Sequence, residues 1–279
     1  MLHFGLLGHP VAHSLSPVMH EASFRALRLE ADYRCFDVEP DRLSEQVRRC
    51  RDEGFLGLNV TVPHKQAVVE LMDDLDISAR RLGAVNTIRF DPDGKMTGFN
   101  TDASGFLADL RASFGVMPMG MRILVVGCGG AGRAVAIACA LGGCAHLALA
   151  NRTVAKAETV AREIAALSEP AGDRTRVLPS DRSAWVEAAR DAELIIQCTT
   201  AGLAEGDAPV LPVEAFRRGQ YLYDLVYTRA ETPTIRTARA GGAWAVNGLG
   251  MLVHQGAAAF RIWTGREANL AAMRMAVER

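Results

Sequence analysis

Short apolar runs alternate along the chain with longer stretches whose apolar positions recur every three or four residues. HFGLLG (3–8), YRCFDV (33–38) and GLNVTV (57–62) read as strands. Between them lie helical patterns from Pro17 to about Leu29, where Val18, Ala22 and Leu27 continue one apolar face, and over Leu43–Arg51. A further helix is expected to start near Pro63. AVNTIRF (84–90) and GKMTGF (94–99) predict a closing pair of strands, followed by a helix over Ala103–Phe114. GVMPMG (115–120) is the expected linker. Beyond it the chain reads strand, glycine turn, helix and strand up to Asn151. TRVLP (175–179), AELIIQC (192–198) and QYLYDLVY (220–227) are further strands, and helices are expected at about 250–263 and 266–277. SEPAGDRTR (168–176) reads as a polar loop. The alternation predicts an α/β protein with parallel sheets.

The 279 residues suggest two domains. At 49% hydrophobic and 23% charged, the chain can bury a sizeable core. A net charge of −1, with scattered lysines and arginines, argues against nucleic acid as a partner. No apolar stretch is long enough to predict a membrane span, and Met1–Pro10 lacks the basic start of a signal peptide. The six cysteines form no CxxC pair and read as small buried residues of a reducing cytoplasm.

Gly127, Gly129 and Gly132 form GCGGAG between the strand ILVV and the helix RAVAIACAL, with Gly130 and Ala131 completing the turn. A GxGxxG in that setting lets the backbone approach a pyrophosphate, which the helix N-terminus attracts. An NAD site usually places Asp or Glu at the end of the next strand, to accept from the ribose hydroxyl. Here Asn151, Arg152, Thr153 and Lys156 stand there, with no carboxylate before Glu158. Two cations and a hydroxyl suit a 2′-phosphate, so the expected cofactor is NADP.

The first domain carries polar residues where a buried sheet would place apolar ones. In NVTVPHK, Asn59 and Thr61 share one face of a strand, and Lys65 is expected in the first turn of the helix after Pro63. A cation there opposes the helix dipole, although most lysines simply extend into solvent. GAVNT offers Asn86, and GFNTD offers Asn100, Thr101 and Asp102. Asp102 can equally be a helix cap. In HSLSPVMH, Ser16 before Pro17 is expected to cap a helix, whereas Ser14 has no evident structural duty.

GHPVAHSLSP, NVTVPHK, GAVNT, GFNTD, GCGGAG, NRT, DLVY and NGLGMLVHQ occur in the order and spacing of shikimate dehydrogenases. The resemblance runs from about Phe4 to Phe260. It implies an α/β substrate domain over 1–102, with 246–279 returning to it, and a Rossmann NADP domain over 103–245, with the active-site cleft between them. It implies that Lys65 and Asp102 are the catalytic pair. Ser14, Ser16, Thr61, Asn86, Asp102, Tyr227 and Gln255 would contact substrate. Gly127 to Gly132 and Asn151 to Lys156 would hold NADP, with Leu225 and Gly248 near the nicotinamide. His13, His20 and His64 are not ligands in this reading, and no metal is expected. Gln197 and Cys198 stand where the family commonly has Asn-Ala, and Cys128 replaces a common alanine. These departures are expected to bear on cofactor affinity.

The implied reaction is the reversible, NADP-dependent reduction of 3-dehydroshikimate to shikimate, with Lys65 handling the proton. Its substrate is a small molecule in the cytoplasm; a homodimer stays open. Related quinate enzymes tend to show threonine at the position of Ser16. Two alternatives stand beside this reading: a quinate or quinate/shikimate dehydrogenase, and an NADPH-binding regulator without turnover.

Overall fold

A computed structural model describes residues 1–204 and 206–278. The chain divides into two compact units, one of Met1–Gly105 with the stretch from Leu252, the other of Phe106–Met251.

The first unit contains β1 (Leu2–Gly8), α1 (Ser16–Ala26), β2 (Ala31–Asp37), α2 (Leu43–Asp52), β3 (Gly57–Val60), β4 (Asp74–Leu75), α3 (Ile77–Leu82), β5 (Thr87–Phe90) and β6 (Met96–Phe99). Helix α4 (Asp102–Phe114) begins in this unit and continues into the next. The sheet order is β2-β1-β3-β5-β6-β4. β1 is parallel to both β2 and β3; β5 is antiparallel to β3 and β6, the closing pair expected from the sequence.

The second unit continues with β7 (Arg122–Val126), α5 (Gly130–Leu141), β8 (His146–Ala150), α6 (Val154–Leu167), α7 (Glu169–Asp173), β9 (Thr175–Val177), α8 (Arg182–Asp191), β10 (Leu194–Gln197), β11 (Tyr221–Asp224), α9 (Pro233–Ala240) and β12 (Trp244–Asn247). Its sheet is parallel throughout, in the order β12-β11-β10-β7-β8-β9. That is a doubly wound sheet whose order reverses between β7 and β10, where such sheets bind ligands beyond their strand ends. Helix α10 (Leu249–Thr264) starts here and runs into the first unit, which α11 (Leu270–Val277) completes.

Four local expectations are corrected. No α-helix starts at Pro63: residues 62–66 form turns, followed by a 3₁₀ segment over Ala67–Leu71. Lys65 therefore sits in a turn, held where its carbonyl accepts from Val85 N at 2.7 Å. The polar stretch at 168–176 contains α7, because Pro170 pre-sets the first helical turn after Ser168. Residues 115–120 lie inside the second unit instead of between units. Ser16 does not cap α1: Leu15 holds the cap position, and the Ser14 hydroxyl accepts from Ser16 N at 3.2 Å.

The first unit's core has an aromatic side. Phe4 stacks on Phe24 and on Trp263 of α10. The Trp263 indole donates to Ile88 O at 2.8 Å, and a Cβ at Gly57 would lie 2.1 Å from its ring. Gly57 is thus required by close packing. His20 lies within this layer, fully buried and stacked on Tyr33 at 4.6 Å between ring centres. Among the described residues neither of its ring nitrogens has a hydrogen-bond partner.

Burial lowers the His20 pKa from 6.5 to about 3. The unfolded chain therefore takes up the proton first, so stability falls as pH drops below 6.5 and keeps falling toward 3. Between pH 7.5 and 5 the loss amounts to about 2 kcal/mol. His20→Phe, which keeps a ring, is expected to lack this loss. Denaturant unfolding of both proteins at the two pH values measures it; equal losses would refute the assignment.

Candidate active site

In the first unit, the polar residues converge where β3 and β6 end and β5 begins. Lys65 Nζ donates to Asp102 Oδ2 at 2.6 Å. The lysine side chain keeps 25% of its exposure and the aspartate 10%, so the pair is half-sheltered and reachable. Asp102 Oδ1 accepts from Asn86 Nδ2 at 2.8 Å, so each carboxylate oxygen is held from a different side. Asp102 opens α4, but Asn100 accepts from its backbone N–H at 3.0 Å. The carboxylate is thus left for Lys65 and Asn86.

Asn86 is the hub. Its Nδ2 also donates to Thr101 Oγ1 at 3.0 Å, and its Oδ1 accepts from Thr101 N at 2.8 Å and Thr87 Oγ1 at 2.9 Å. Its carbonyl accepts from Asn59 Nδ2 at 3.2 Å, and Asn59 Oδ1 accepts from the Tyr33 hydroxyl at 2.7 Å. Burial pushes the Tyr33 pKa well up, and the Ser16 hydroxyl acts on it in the opposite direction. A hydrogen-bonded chain therefore runs from Tyr33 through Asn59 and Asn86 to Asp102 and Lys65. Thr61 leaves β3 with its N–H on Leu7 O at 2.8 Å. Gln255 of α10 lies against Gly105, where a Cβ would meet its backbone nitrogen at 2.7 Å. Ser14 is half-buried, whereas Ser16 is only 6% exposed.

The second unit holds the remaining predicted residues. Gly127 follows β7 with φ +102°, and its N–H donates to Ala150 O at 2.8 Å. A Cβ on Gly132 would lie 1.9 Å from Gly127 O, so the turn closes only with glycine there. Gly129 and Gly130 face open space, leaving bare backbone at the start of α5. Asn151 accepts from Cys128 N at 2.9 Å and donates to Thr153 O at 2.8 Å, bracing the turn against the end of β8. Arg152, Thr153 and Lys156 are exposed, and among the described residues neither cation has a carboxylate partner. This set fits a dinucleotide carrying an extra phosphate: open backbone at a helix N-terminus, then two unpaired cations.

The side chains of Cys128 and Gln197 are both buried. Cys128 is 6% exposed, and burial pushes its thiol up to about 11. Gln197 is fully buried and spends its amide on protein groups. Leu225 and Tyr227 follow β11, and burial raises the Tyr227 pKa. Gly248 N donates to Val226 O at 3.5 Å, and a Cβ there would lie 2.4 Å from Leu225 O. Tyr33, Asn59 and Asn100 as holding groups were missed by the sequence reading, although the polar alternation in NVT marked the strand. Among the described residues no group of three metal-ligating side chains occurs, and no helix is long and apolar enough to cross a membrane.

The chain is similar to known proteins over nearly its whole length. Residues 6–88 match the family model for the shikimate dehydrogenase substrate binding domain, and residues 248–278 that for the shikimate 5′-dehydrogenase C-terminal domain. The chain is 45% identical over 275 residues to the shikimate dehydrogenase (NADP(+)) of Methanopyrus kandleri, covering 98% of this chain and 93% of that protein. The crystal structure of shikimate 5-dehydrogenase from Thermus thermophilus with NADP(H) and shikimate superposes with a TM-score of 0.88 at 39% identity, over 100% of this chain and 99% of that one. Quinate dehydrogenase from Corynebacterium glutamicum with NAD gives 0.89 at 31% identity, over 99% and 98%.

Proposed function

The chain belongs to the shikimate dehydrogenase family, and we propose that it catalyses the reversible, NADP-dependent reduction of 3-dehydroshikimate to shikimate. The observation that carries this reading is the Lys65–Asp102 contact at 2.6 Å, braced by Asn86 and still reachable. A protein that only sensed the dinucleotide would have no use for it. The first unit is the substrate unit and the second binds NADP.

NADPH, when bound, supplies the hydride, and NADP takes it up in reverse. The protein's own part is one proton and the orientation of the substrate. As the carbonyl oxygen gains charge, the Lys65 ammonium stabilises it and delivers a proton to it. Asp102 holds the amine in place and balances its charge. In the oxidative direction the neutral amine accepts the proton from the alcohol.

Ser14 and Ser16 receive the substrate carboxylate, with Ser14 the more accessible of the two. Thr61, Gln255, Tyr227 and Asp102 bind the ring hydroxyls. Asn86 has its side-chain atoms engaged within the protein, so it serves substrate mainly by aiming Asp102. Gly127, Gly129, Gly130, Ala131 and Gly132 take the pyrophosphate. Asn151 supports that turn, and Arg152, Thr153 and Lys156 take the 2′-phosphate. Leu225 and Gly248 flank the nicotinamide. Arg152 and Lys156, with no carboxylate before Glu158, favour NADP over NAD, and Ser16 favours shikimate over quinate. The free cysteines suit a reducing cytoplasm. Initial rates with shikimate and quinate, each with NADP and NAD, test the assignment. Preference for quinate or NAD would overturn it.

Lys65→Ala is expected to lower kcat by a factor on the order of 10² to 10⁴ with a far smaller change in substrate KM. A near-normal kcat in steady-state assays would remove Lys65 from the chemistry.

Arg152→Ala removes a charge-assisted contact and should weaken NADP binding about tenfold, the lower end expected for an exposed pair, while NAD binding barely moves. Fluorescence titration of both dinucleotides checks this; equal weakening of the two would make Arg152 structural.

Ser14→Ala should raise the KM for shikimate about tenfold or more. Because Ser14 also accepts from Ser16 N, stability should fall by about 0.5–1.5 kcal/mol. Kinetics and thermal unfolding of the same preparation separate the two effects. An unchanged KM would exclude Ser14 from the carboxylate site.

A further inference from the structure

We propose that Gln197 and Asp224 are positioning residues that fix the loop carrying Leu225 and Tyr227 and tie it to the glycine turn. The proposal rests on the reading above, in which Leu225 and Tyr227 face cofactor and substrate. The two side chains are register partners at the ends of β10 and β11, and both are fully buried.

Asp224 holds the loop that follows it at both ends. Its Oδ1 accepts from Val226 N at 3.0 Å, immediately before Tyr227. Its Oδ2 accepts from Thr232 Oγ1 at 2.6 Å, and that hydroxyl in turn accepts from Ile235 N at 3.1 Å, capping α9. Residues 225–232 are thus closed into a loop by one carboxylate. Gln197 does the same for the neighbouring loop. Its Nε2 donates to Ala201 O at 2.9 Å and Thr199 O at 3.3 Å, and its Oε1 accepts from Thr199 N. Gln197 Nε2 and Asp224 Oδ1 join the two systems at 3.3 Å.

The Gln197 loop in turn bears on the glycine turn. A Cβ at Gly127 would lie 2.8 Å from Cys198 C and 2.9 Å from Thr199 N. Displacing Thr199 therefore displaces the backbone against which the GxGxxG turn closes. One polar bolt thereby links the dinucleotide turn with the loop bearing a substrate-binding residue.

The chemistry of Asp224 supports a role beyond packing. Burial pushes its pKa up to about 6, with Cys198 the neighbouring titratable group. A carboxylate that is disfavoured by its own surroundings is costly to keep in a core. Each hydrogen bond it makes comes from a donor, which an apolar or amide replacement cannot match in full.

The test uses the full chain with Asp224→Asn and Gln197→Leu, and with Thr232→Val and Thr232→Ser as a milder pair. Amide exchange at Val226, NADPH affinity by nucleotide fluorescence and steady-state kinetics are measured on each. Asp224→Asn and Thr232→Val should speed Val226 exchange and raise the shikimate KM about tenfold, with kcat moving far less. Gln197→Leu should weaken NADPH binding as well. Thr232→Ser should restore wild-type behaviour. Unchanged Val226 exchange and KM in Asp224→Asn would overturn the proposal, as would a Thr232→Ser protein impaired as much as Thr232→Val. If Asp224→Asn does not fold, the Thr232 pair decides. Should the wild type itself neither bind NADPH nor oxidise shikimate, the functional reading fails, while exchange at Val226 still decides whether the bolt fixes the loop.

Discussion

The site in the first unit depends on one carboxylate being held from two sides. Asp102 meets Lys65 through one oxygen and Asn86 through the other, at 2.6 and 2.8 Å. A half-sheltered ion pair gains little by itself, because desolvation offsets most of the Coulomb attraction. Its value lies in geometry. With Asn86 fixing the carboxylate, the lysine amine has one resting place instead of the many its flexible stem allows. The same constraint explains why Asn86 is so thoroughly bonded. An amide free to turn would release Asp102, and with it the amine.

That fixation reaches back into the fold. Asn86 lies just before β5, and its carbonyl receives Asn59 of β3, which in turn receives Tyr33 of β2. A buried polar network of this kind is tolerable only when its members are satisfied, since each orphaned group costs the full loss of hydration. His20, stacked on Tyr33 with both nitrogens unpartnered among the described residues, shows the other arrangement. Such a ring survives by staying neutral, and its surroundings hold its pKa far down accordingly.

Much of this was legible from residue order. The glycine turn, the parallel sheet around it, the antiparallel β5–β6 pair and the cationic end of β8 all carry local signals. What escaped the sequence is tertiary. Pro63 looks like a helix start, yet the chain around Lys65 is held by a hydrogen bond from Val85, twenty residues away. The serines departed from their expected structural roles, because Ser16 is buried and the local hydrogen bond falls to Ser14. Strand β12 was missed because WAVN is four residues long and pairs on one side only. The pairing of Gln197 with Asp224 carried no local signal, because it depends on the register between β10 and β11.

The two units solve a shared problem in the same way. Each places a buried amide at or next to the end of a central strand, where it reaches its register partner: Asn59 donates to Thr87 Oγ1 at 3.3 Å, and Gln197 to Asp224 at 3.3 Å. Strand ends are where ladder hydrogen bonds stop and loops begin, so backbone groups there need other partners. A side-chain amide offers a donor and an acceptor at once, and can satisfy the outgoing loop while bonding sideways to the next strand. An apolar residue would pack as well but would leave the loop to water and to its own entropy. Chemistry that requires side chains on loops to stand within an ångström of their targets favours the amide, because it transmits the rigidity of the sheet one step beyond the sheet.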